Sequence, residues 1–356
     1  MGRSTAKQLA PVLFWLFVII GSYILFEITA RYLAPLALEV TTELDAALSV
    51  VDQDFDGDID KFVARESDPA RIHPHLTLGW DKSPVVYNSC TDCDGAPLVV
   101  LVLGDSVTQG HGVRIGSEDY PYLMSRISEG RPVRIINAGV GGYGVDQMLQ
   151  KMEALVDEIS PDVIVVAYIA HDLLRPGRRF IYLRNRPFVR QTDRGLLWEN
   201  PGDDADFIAR YRNHRDSFAT GIWLGGFIWE NRRYYAPHLY RDFYEAVFGR
   251  VVGGMREMAA EKAADLHFIR LPQNFRFRGE HDLTALMNSV LERHIADPGH
   301  PVSTPAIKEC VVGELRAAGH EFDIMGFHPK AAGHRAYARC IFDAVLDDSL
   351  ARATGR

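Results

Sequence analysis

The chain has 356 residues, of which 47% are hydrophobic and 24% are charged, which is ordinary for a globular protein. This length allows one large domain or two. The formal net charge of −8, together with the lack of any dense block of Lys and Arg in the sequence, argues against nucleic-acid binding.

The first predicted element is a helix that spans a membrane. No residue from Gln8 to Phe26 is charged, and the almost wholly apolar stretch Leu9–Phe26 would rise about 27 Å as a helix, close to the hydrocarbon thickness of a bilayer. A cleaved signal peptide and an apolar core helix are the competing interpretations. The residues that follow, Glu27–Arg31, offer no good small-x-small cleavage site. Residues 1–30 are therefore predicted to be a retained anchor.

The charges on either side of this stretch predict its orientation. Arg3 and Lys7 precede it, whereas acidic residues predominate after it, at Glu39, Glu43 and Asp45. The positive-inside rule then places the N-terminus in the cytoplasm, the helix in the inner membrane and the rest of the chain in the periplasm or outside the cell.

Residues 31–95 show little regular pattern and are predicted to form a juxtamembrane connector. Within them, aspartates at alternate positions resemble a calcium-binding loop with Gly57 at its sixth position; they are Asp52, Asp54, Asp56, Asp58 and Asp60. Position 12, where a bidentate Glu is expected, is Val63. A solvated acidic linker is therefore the favoured interpretation, and calcium is the alternative.

The four cysteines predict disulfides better than a metal site. Cys90 and Cys93 form a C-x-x-C pair that lacks the second cysteine or histidine pair of a zinc site. In an oxidising compartment a small loop disulfide is favoured. A bridge between Cys310 and Cys340 is a further option that the sequence leaves open, because sequence alone does not reveal which side chains are close.

From residue 96 to about residue 350 strands alternate with helices. Four strands are predicted, at Leu98–Leu103, Val133–Asn137, Val163–Ile169 and Leu266–Leu271, and the first of them is a continuous apolar run of strand length. Helical patterns lie between or after them, around Tyr120–Ser128, Gly144–Ser160 and Tyr240–Asp265, and near the C-terminus. Repeated βα units of this length predict an α/β fold with a doubly wound parallel sheet of the flavodoxin-like kind.

Residues 175–235 interrupt this alternation and are predicted to be an insertion. A hairpin is expected over Phe188–Trp198, and a stretch rich in Trp, Phe and Tyr follows it. An insertion that packs its own small core is the favoured interpretation. A substrate lid and a surface that rests on the membrane interface are the alternatives.

Unusual polar clusters follow three of the predicted strands or precede the last helix; they are Gly104–Ser106, Asn137–Gly142, His171–Asp172 and Phe327–His334. Ligands of doubly wound sheets bind at the carboxyl ends of the strands. Each cluster alone is a weak signal. Their occurrence together, in this order, predicts an active site.

These clusters resemble the sequence blocks of the SGNH/GDSL hydrolase superfamily. The matching stretches are GDSVTQG at residue 104, NAGVGGYGVDQ at residue 137 and HPKAAGH at residue 328, and the resemblance spans about residues 97–348. The N-terminal helix and the motif Leu78-Gly79-Trp80 resemble membrane-anchored bacterial members. The resemblance implies that Ser106 is the nucleophile, that His328 is the base, and that no cofactor is needed.

The same resemblance implies an oxyanion hole and marks two departures from the family. The backbone N–H groups of Ser106 and Gly142 and a side chain of the cluster His171–Asp172, which corresponds to a further block of the family, would be its donors. That side chain is an Asn in the family and His171 here. The position of the usual triad Asp is Met325, whereas Asp323 lies five residues before His328. Asp323 is the candidate for the orienting acid, and a Ser–His dyad is the alternative.

The function predicted from these features is that of a membrane-anchored serine esterase. It would remove acetyl or other short acyl groups from a glycan or lipid of the cell envelope. An acyltransferase that uses the same Ser106 is one alternative, and a catalytically degenerate protein that binds or assembles envelope components is another. The sequence does not indicate an oligomeric state.

Overall fold

The structure is a computed structural model that describes residues 3–32, 39–54, 59–61, 73–75, 77–90, 93, 95–181, 184–193, 195–200, 202, 204–273, 280–296, 302–304, 306–322, 325–326 and 328–353. The chain divides into two units. Unit 1 contains residues 1–68, 179–186 and 202–232, and unit 2 contains residues 69–178, 187–201 and 233–356. The domain boundaries expected from the sequence remain a prediction.

The strands of the described residues are His73–His75 (β1), Gly79–Asp81 (β2), Val85–Asn88 (β3), Leu98–Gly104 (β4), Val133–Asn137 (β5), Val163–Tyr168 (β6), Phe180–Ile181 (β7), Arg184–Asn185 (β8), Phe188–Thr192 (β9), Gly195–Glu199 (β10), Asp265–Arg270 (β11) and Val302–Ser303 (β12).

The helices of the same residues are Arg3–Tyr32 (α1), Glu39–Asp54 (α2), Ser106–Gln109 (α3), Tyr120–Ile127 (α4), Val145–Ile159 (α5), Asp204–Asp216 (α6), Thr220–Glu230 (α7), Arg232–Tyr235 (α8), Arg241–Glu261 (α9), Glu280–Ile295 (α10), Lys308–Ala317 (α11), Ala331–Ile341 (α12) and Asp347–Ala353 (α13). Short 3-10 turns follow β6, at Ala170–Leu173 and Arg175–Gly177.

Unit 2 is built on a six-stranded sheet with the strand order β12-β11-β6-β4-β5-β3. The first five strands are mutually parallel, and β3 pairs antiparallel with β5 at the edge. Every residue of β6 is buried, and so is every residue of β4 except the half-buried Val99, as expected for strands covered on both faces. The α/β fold with a doubly wound sheet is thus confirmed, with the addition of one antiparallel edge strand.

The helices of unit 2 begin and end where the local sequence allows. Asp119 caps α4, because its side chain accepts a hydrogen bond from the Tyr122 N–H. α5 ends at Ser160, which adopts the left-handed conformation, and Pro161 follows directly. Helices α4, α11 and α12 contribute apolar side chains to one buried cluster with the sheet. These caps and this cluster position the loops at the carboxyl ends of the strands.

Two pairs of cysteines in unit 2 are disulfide-bonded, Cys90 with Cys93 and Cys310 with Cys340. The first closes a small loop after β3, as favoured from the sequence. The second links α11 to α12, and the sequence left it open because the two residues are 30 positions apart.

The segment 31–95 contains more regular structure than its sequence pattern predicts. β3 joins the main sheet by pairing with β5. The paired residues Tyr87 and Ile135 are 48 positions apart in the sequence, so no local pattern reveals the pairing. In unit 1, α2 buries one stripe of apolar side chains, namely Leu44, Ala47, Leu48 and Val51. Their spacing is that of an amphipathic helix. Both stretches lie within the segment that the sequence predicts to be a juxtamembrane connector, and that assignment remains a prediction.

Unit 1 has a small apolar core of its own. Side chains of the insertion form much of it, with Phe180, Phe207, Trp223 and Phe227 among them. The end of α1 and the buried stripe of α2 contribute the rest. The insertion therefore packs into a core, but it shares this core with the N-terminal helices.

The helix α1 contains a stretch, Val12–Ala30, that is long and apolar enough to cross a membrane, and almost all of it is exposed. Its length and composition are those expected from the sequence.

The acidic segment shows no metal site among the residues that are described. Asp52 and Asp54 belong to α2, and the Asp52 carboxylate accepts a hydrogen bond from Arg212 at 2.6 Å. Asp56 and Asp58 lie outside the described residues, and Asp60 lies in the short described piece 59–61. Within the described part of the chain, no group of three or more His, Cys, Asp or Glu side chains is arranged to hold a metal ion.

Candidate active site

Ser106 lies at the first position of α3, directly after β4. Asp105 caps this helix by accepting a hydrogen bond from the Val107 N–H at 2.9 Å. A Cβ on Gly104 would lie 2.0 Å from the Thr108 hydroxyl oxygen, so the turn between strand and helix requires glycine there. The Ser106 side chain is 7% exposed, and its Oγ lies 2.9 Å from Nε2 of His328. The two residues expected to be nucleophile and base are therefore in hydrogen-bond contact.

His328 precedes α12 and is half-buried. Burial lowers its pKa from 6.5 to about 4, and the charges of His111, Arg175 and Lys330 act in the same direction. The ring of His111 lies 4.2 Å from the ring of His328 between centroids. At neutral pH His328 is therefore uncharged, as a group that must accept a proton has to be.

Two positions before His328 bear on how its ring is oriented, Asp323 and Met325. Asp323 lies outside the described residues. Met325, which stands where the family places its Asp, is fully buried and packs against Gly333, since a Cβ there would lie 2.6 Å from the Met325 sulfur. Met325 thus fills a core position beside α12.

The second block forms a tight loop against α3. The Asn137 amide donates to the Thr108 carbonyl at 2.9 Å and its carbonyl accepts from the Gly139 N–H at 3.0 Å. A Cβ on Gly139 would lie 2.5 Å from the Gln109 nitrogen. Asn137 and Gly139 therefore hold this loop to the helix that carries Ser106.

Gly141 and Gly142 lie at the end of this loop, beside the serine. A Cβ on Gly141 would come within 3.7 Å of the Ser106 Cβ. The Gly141 N–H donates to the Gln109 side chain at 2.7 Å, whereas none of the loop hydrogen bonds among the described residues uses the N–H of Gly142. Gly142 has a φ of +83°, which favours glycine.

Trp80 of β2 fixes the peptide between these two glycines. Its indole Nε1 donates to the Gly141 carbonyl at 2.9 Å, and its own carbonyl accepts from the Tyr143 hydroxyl at 2.7 Å. Because the C=O and N–H of a trans peptide point in opposite directions, this bond also determines where the Gly142 N–H points. The motif Leu78-Gly79-Trp80 thereby has a structural role that the sequence alone did not reveal.

His171 lies in the turn after β6, at the carboxyl end of the third parallel strand. It is buried, and its Nε2 lies 2.6 Å from the Tyr234 hydroxyl. Burial, with the charges of Arg175 and Arg178, holds its pKa well below 6.5. His171 is therefore a neutral imidazole whose hydrogen-bond partner is a tyrosine, and the guanidinium of Arg178 lies 5.0 Å from the ring centre of that tyrosine.

Arg175 is a fully buried cation that connects the loops after β4, β5 and β6. It donates to the Tyr143 carbonyl at 2.6 Å and to the Asp172 carboxylate, and it lies 3.6 Å from the Asp105 carboxylate. Burial raises the pKa of both carboxyl groups, and the charge of Asp105 raises that of Asp172 further. Asp105 and Asp172 brace their turns, and Arg175 joins those turns.

Sequence reasoning missed four residues of this site: Trp80, Gln109, Arg175 and Tyr234. Trp80 and Gln109 belong to marked motifs, Leu78-Gly79-Trp80 and GDSVTQG, but no role was assigned to either side chain. The roles of Arg175 and Tyr234 depend on Tyr143 and His171, which lie 32 and 63 residues away in the sequence.

The fold and the site define an α/β serine hydrolase. The model of the GDSL-like lipase/acylhydrolase family matches residues 102–336, a range that contains both Ser106 and His328. The chain belongs to this family.

Individual relatives are distant. An arylesterase of Vibrio mimicus is 31% identical over 78 residues, which are 21% of this chain and 38% of that protein, so the chain matches less than half of the arylesterase's length. Two solved structures overlap more widely. The acetylxylan esterase Axe2 of Geobacillus stearothermophilus is 16% identical, with 71% of this chain and 95% of that chain covered and a TM-score of 0.40. The psychrotrophic esterase EstA of a Pseudoalteromonas species is 13% identical, with 69% and 96% covered and a TM-score of 0.40.

Proposed function

We propose that the protein is a membrane-anchored serine esterase in which Ser106 is the nucleophile and His328 the base. Its substrate would be an acetyl or other short acyl ester on a glycan or lipid of the cell envelope. The observation that carries the proposal is the 2.9 Å contact between the Ser106 Oγ and the His328 Nε2 within the matched family segment.

In the first half of the reaction, the Ser106 Oγ attacks the ester carbonyl carbon as its proton moves to the His328 Nε2. The carbonyl oxygen becomes an oxyanion. When the tetrahedral intermediate collapses, the C–O bond to the alcohol breaks, and the alcohol leaves with the proton from His328. Water then attacks the acyl-serine, His328 again takes and returns a proton, and the carboxylic acid departs. The lowered pKa of His328 keeps its imidazole unprotonated at neutral pH, which is the form that this role requires.

The oxyanion would be met by the N–H groups of Ser106 and Gly142. The first belongs to the first turn of α3, where N–H groups have no partner within the helix. The second is part of the peptide that Trp80 orients. The third donor would be the imidazole of His171. Its Nε2 is in hydrogen-bond contact with the Tyr234 hydroxyl at 2.6 Å, so Tyr234 would hold this ring in place. Each such donor is worth about 2.7–4 kcal/mol of barrier.

Asp323 is proposed to orient the His328 ring, and a Ser106–His328 dyad is the alternative. A carboxylate that holds the imidazole in one tautomer also stabilises the imidazolium that forms during catalysis. Asp323 lies five positions before His328 in the sequence, whereas the family usually places this Asp three positions before the base.

A retained membrane anchor is supported by how the end of α1 is used. Glu27 and Ala30 are buried, and Ala30 belongs to the core of unit 1. The Glu27 carboxylate accepts hydrogen bonds from the N–H groups of Thr220 and Gly221, both at 2.7 Å. Removal of a leader peptide would take these contacts away. The flanking charges favour an N-terminus in the cytoplasm and an enzymatic part on the outer side of the inner membrane.

A fluorophosphonate probe tests the proposal. The folded full-length protein is expected to be labelled on Ser106, and a Ser106→Ala variant is expected to be unlabelled. Ser117→Ala is the matched control, because Ser117 is an exposed serine whose loss leaves the Ser106–His328 pair intact. Absence of labelling on the folded wild-type chain would contradict the proposal. Addition of an acceptor glycan separates hydrolysis from acyl transfer, since only a transferase produces acylated acceptor.

A catalytically degenerate binding protein is the second candidate. Two departures from the family pattern favour it, His171 in place of Asn and Met325 in place of Asp. Full cellular function of the Ser106→Ala chain would support this candidate over the enzyme.

A further inference from the structure

The helix α7, in unit 1, is apolar on all sides although half of its surface is exposed. Its sequence TGIWLGGFIWE carries no charge before Glu230. One face is buried in the core of unit 1 through Trp223, Leu224 and Phe227. The opposite face has the spacing of one helical stripe and consists of Ile222, Gly225, Gly226 and Trp229.

This stripe, called here the outer face of α7, lacks protein cover among the described residues. Ile222 is 58% exposed and Trp229 is 68% exposed. A Cβ on Gly225 or Gly226 would meet nothing within 4 Å. A helix that is hydrophobic all round is normally enclosed by protein or by lipid, and a contiguous apolar patch marks an interaction surface.

The end of α1 is bound directly to the start of α7. The Tyr23 hydroxyl donates to the Phe218 carbonyl at 2.8 Å. The Glu27 carboxylate caps α7 through the N–H groups of Thr220 and Gly221. The Phe26 ring packs on Gly221 so closely that a Cβ there would lie 2.4 Å from it. The exposed apolar surface of α1 therefore continues onto α7.

The position of these contacts along α1 sets the depth of α7. The contacts of α1 with the other parts of unit 1 extend from Tyr23 to the buried Ala30. They therefore occupy about the last 10 Å of the stretch Val12–Ala30, which rises about 27 Å along the helix axis. If α1 crosses a bilayer of about 30 Å hydrocarbon thickness, α7 lies beside the outer boundary of the hydrocarbon.

The chemistry at the far end of α7 fits that boundary. The Arg232 guanidinium lies 4.4 Å from the centre of the Trp229 ring and donates to the Trp229 carbonyl. Trp is enriched where the hydrocarbon meets the headgroups, and Arg can extend a charged end towards lipid phosphates while its stem stays in apolar surroundings.

We propose that the outer face of α7 is a lipid-contacting surface that lies in the outer interfacial region of a phospholipid bilayer. This inference rests on the proposed anchoring by α1. The bilayer is favoured over a protein partner because the face is continuous with the exposed part of the span and ends in an aromatic–cation pair.

Depth-dependent fluorescence quenching on the full-length protein tests this inference. The Ile222→Cys variant is labelled with an environment-sensitive fluorophore and reconstituted in vesicles of phosphatidylcholine and phosphatidylglycerol that carry bromine either near the headgroup or deep in the acyl chain. Leu16→Cys, in the middle of α1, reports whether the anchor spans. Val86→Cys is the matched control, because Val86 is an apolar residue of unit 2 that is 51% exposed.

We expect the Ile222 label to lose fluorescence mainly with the shallow bromine, the Leu16 label mainly with the deep bromine, and the Val86 label with neither. Quenching at Leu16 without quenching at Ile222 would overturn the inference and leave the anchor intact. Quenching at neither position would overturn both. Equal quenching at Ile222 and Val86 would show that the outer face of α7 has no specific role. If the fluorescence at Ile222 falls as the protein-to-lipid ratio rises and does not depend on bromine, the outer face of α7 contacts a second copy of the chain. That result would also overturn the inference.

Discussion

The hydrogen bond from Trp80 to the Gly141 carbonyl offers the most specific test of the proposed oxyanion hole. Trp80→Phe removes the indole N–H and keeps an aromatic ring at a buried position. The Gly141 carbonyl loses its donor, and the Gly142 N–H of the same peptide loses the constraint on its direction. Both effects arise in a loop that lies against Ser106.

The expected loss follows from two magnitudes. A typical hydrogen bond contributes about 1 kcal/mol to folding, so the free energy of unfolding should fall by about that amount. Complete removal of an oxyanion donor costs about 10²–10³ in kcat. A donor that is loosened but still present should lose part of this, so we expect kcat to fall by about 10–100-fold, which corresponds to about 1.4–2.7 kcal/mol. KM should change little, because the donor acts on charge that develops in the transition state.

The assay is hydrolysis of p-nitrophenyl acetate by the full-length chain, with kcat and KM measured separately and stability measured by urea unfolding. Trp223→Phe is the matched control, since it makes the same chemical change at a buried tryptophan of unit 1. The reasoning is refuted if Trp80→Phe loses about 1 kcal/mol of stability and its kcat stays within about twofold of wild type. Trp80 would then be a structural residue only.

Three further predictions concern the base, the buried cation and the orienting acid. Because the pKa of His328 is about 4 and the unprotonated ring is the active form, kcat/KM should stay level below neutral pH and fall as the pH passes through about 4. His111→Ala should move this fall to higher pH, since the charge of His111 lowers the pKa of His328, and a fall near pH 6.5 in the wild type would contradict the burial argument. Arg175→Met should lower the free energy of unfolding by about 3–5 kcal/mol, since it leaves two buried carboxyl groups without their cation, and a urea midpoint equal to that of wild type would refute its connecting role. Asp323→Asn should reduce kcat by more than about tenfold with KM unchanged if Asp323 orients His328, whereas an unchanged kcat would establish a Ser106–His328 dyad.

The parts of the fold that the sequence predicted are those with a local signal. Strands β4 and β6 are continuous apolar runs that begin at Leu98 and Val163, and the structure places their starts at the same residues. The polar clusters that follow them were expected to meet, because parallel strands bring their carboxyl ends to one edge of a sheet. Ser106 and His328, 222 residues apart, were paired only through the family resemblance.

The parts that the sequence did not predict depend on partners that are distant in the chain. β3 is only four residues long and is recognised as a strand by its antiparallel pairing with β5. The core of unit 1 combines α1, α2 and the insertion, three segments with no common pattern. Nothing in the local sequence distinguishes Arg175 from an ordinary loop residue, because its contacts with Asp105 and Tyr143 form only in the folded chain.

The most direct measurement for the central claim is identification of the acylated residue. Full-length protein is mixed with p-nitrophenyl acetate, quenched with acid during turnover, digested and analysed by mass spectrometry. An acetyl group is predicted on the Ser106 hydroxyl, with none on that peptide in the Ser106→Ala variant, which should also lose p-nitrophenol release. Acetylation of a different residue, or wild-type turnover by Ser106→Ala, would contradict the account.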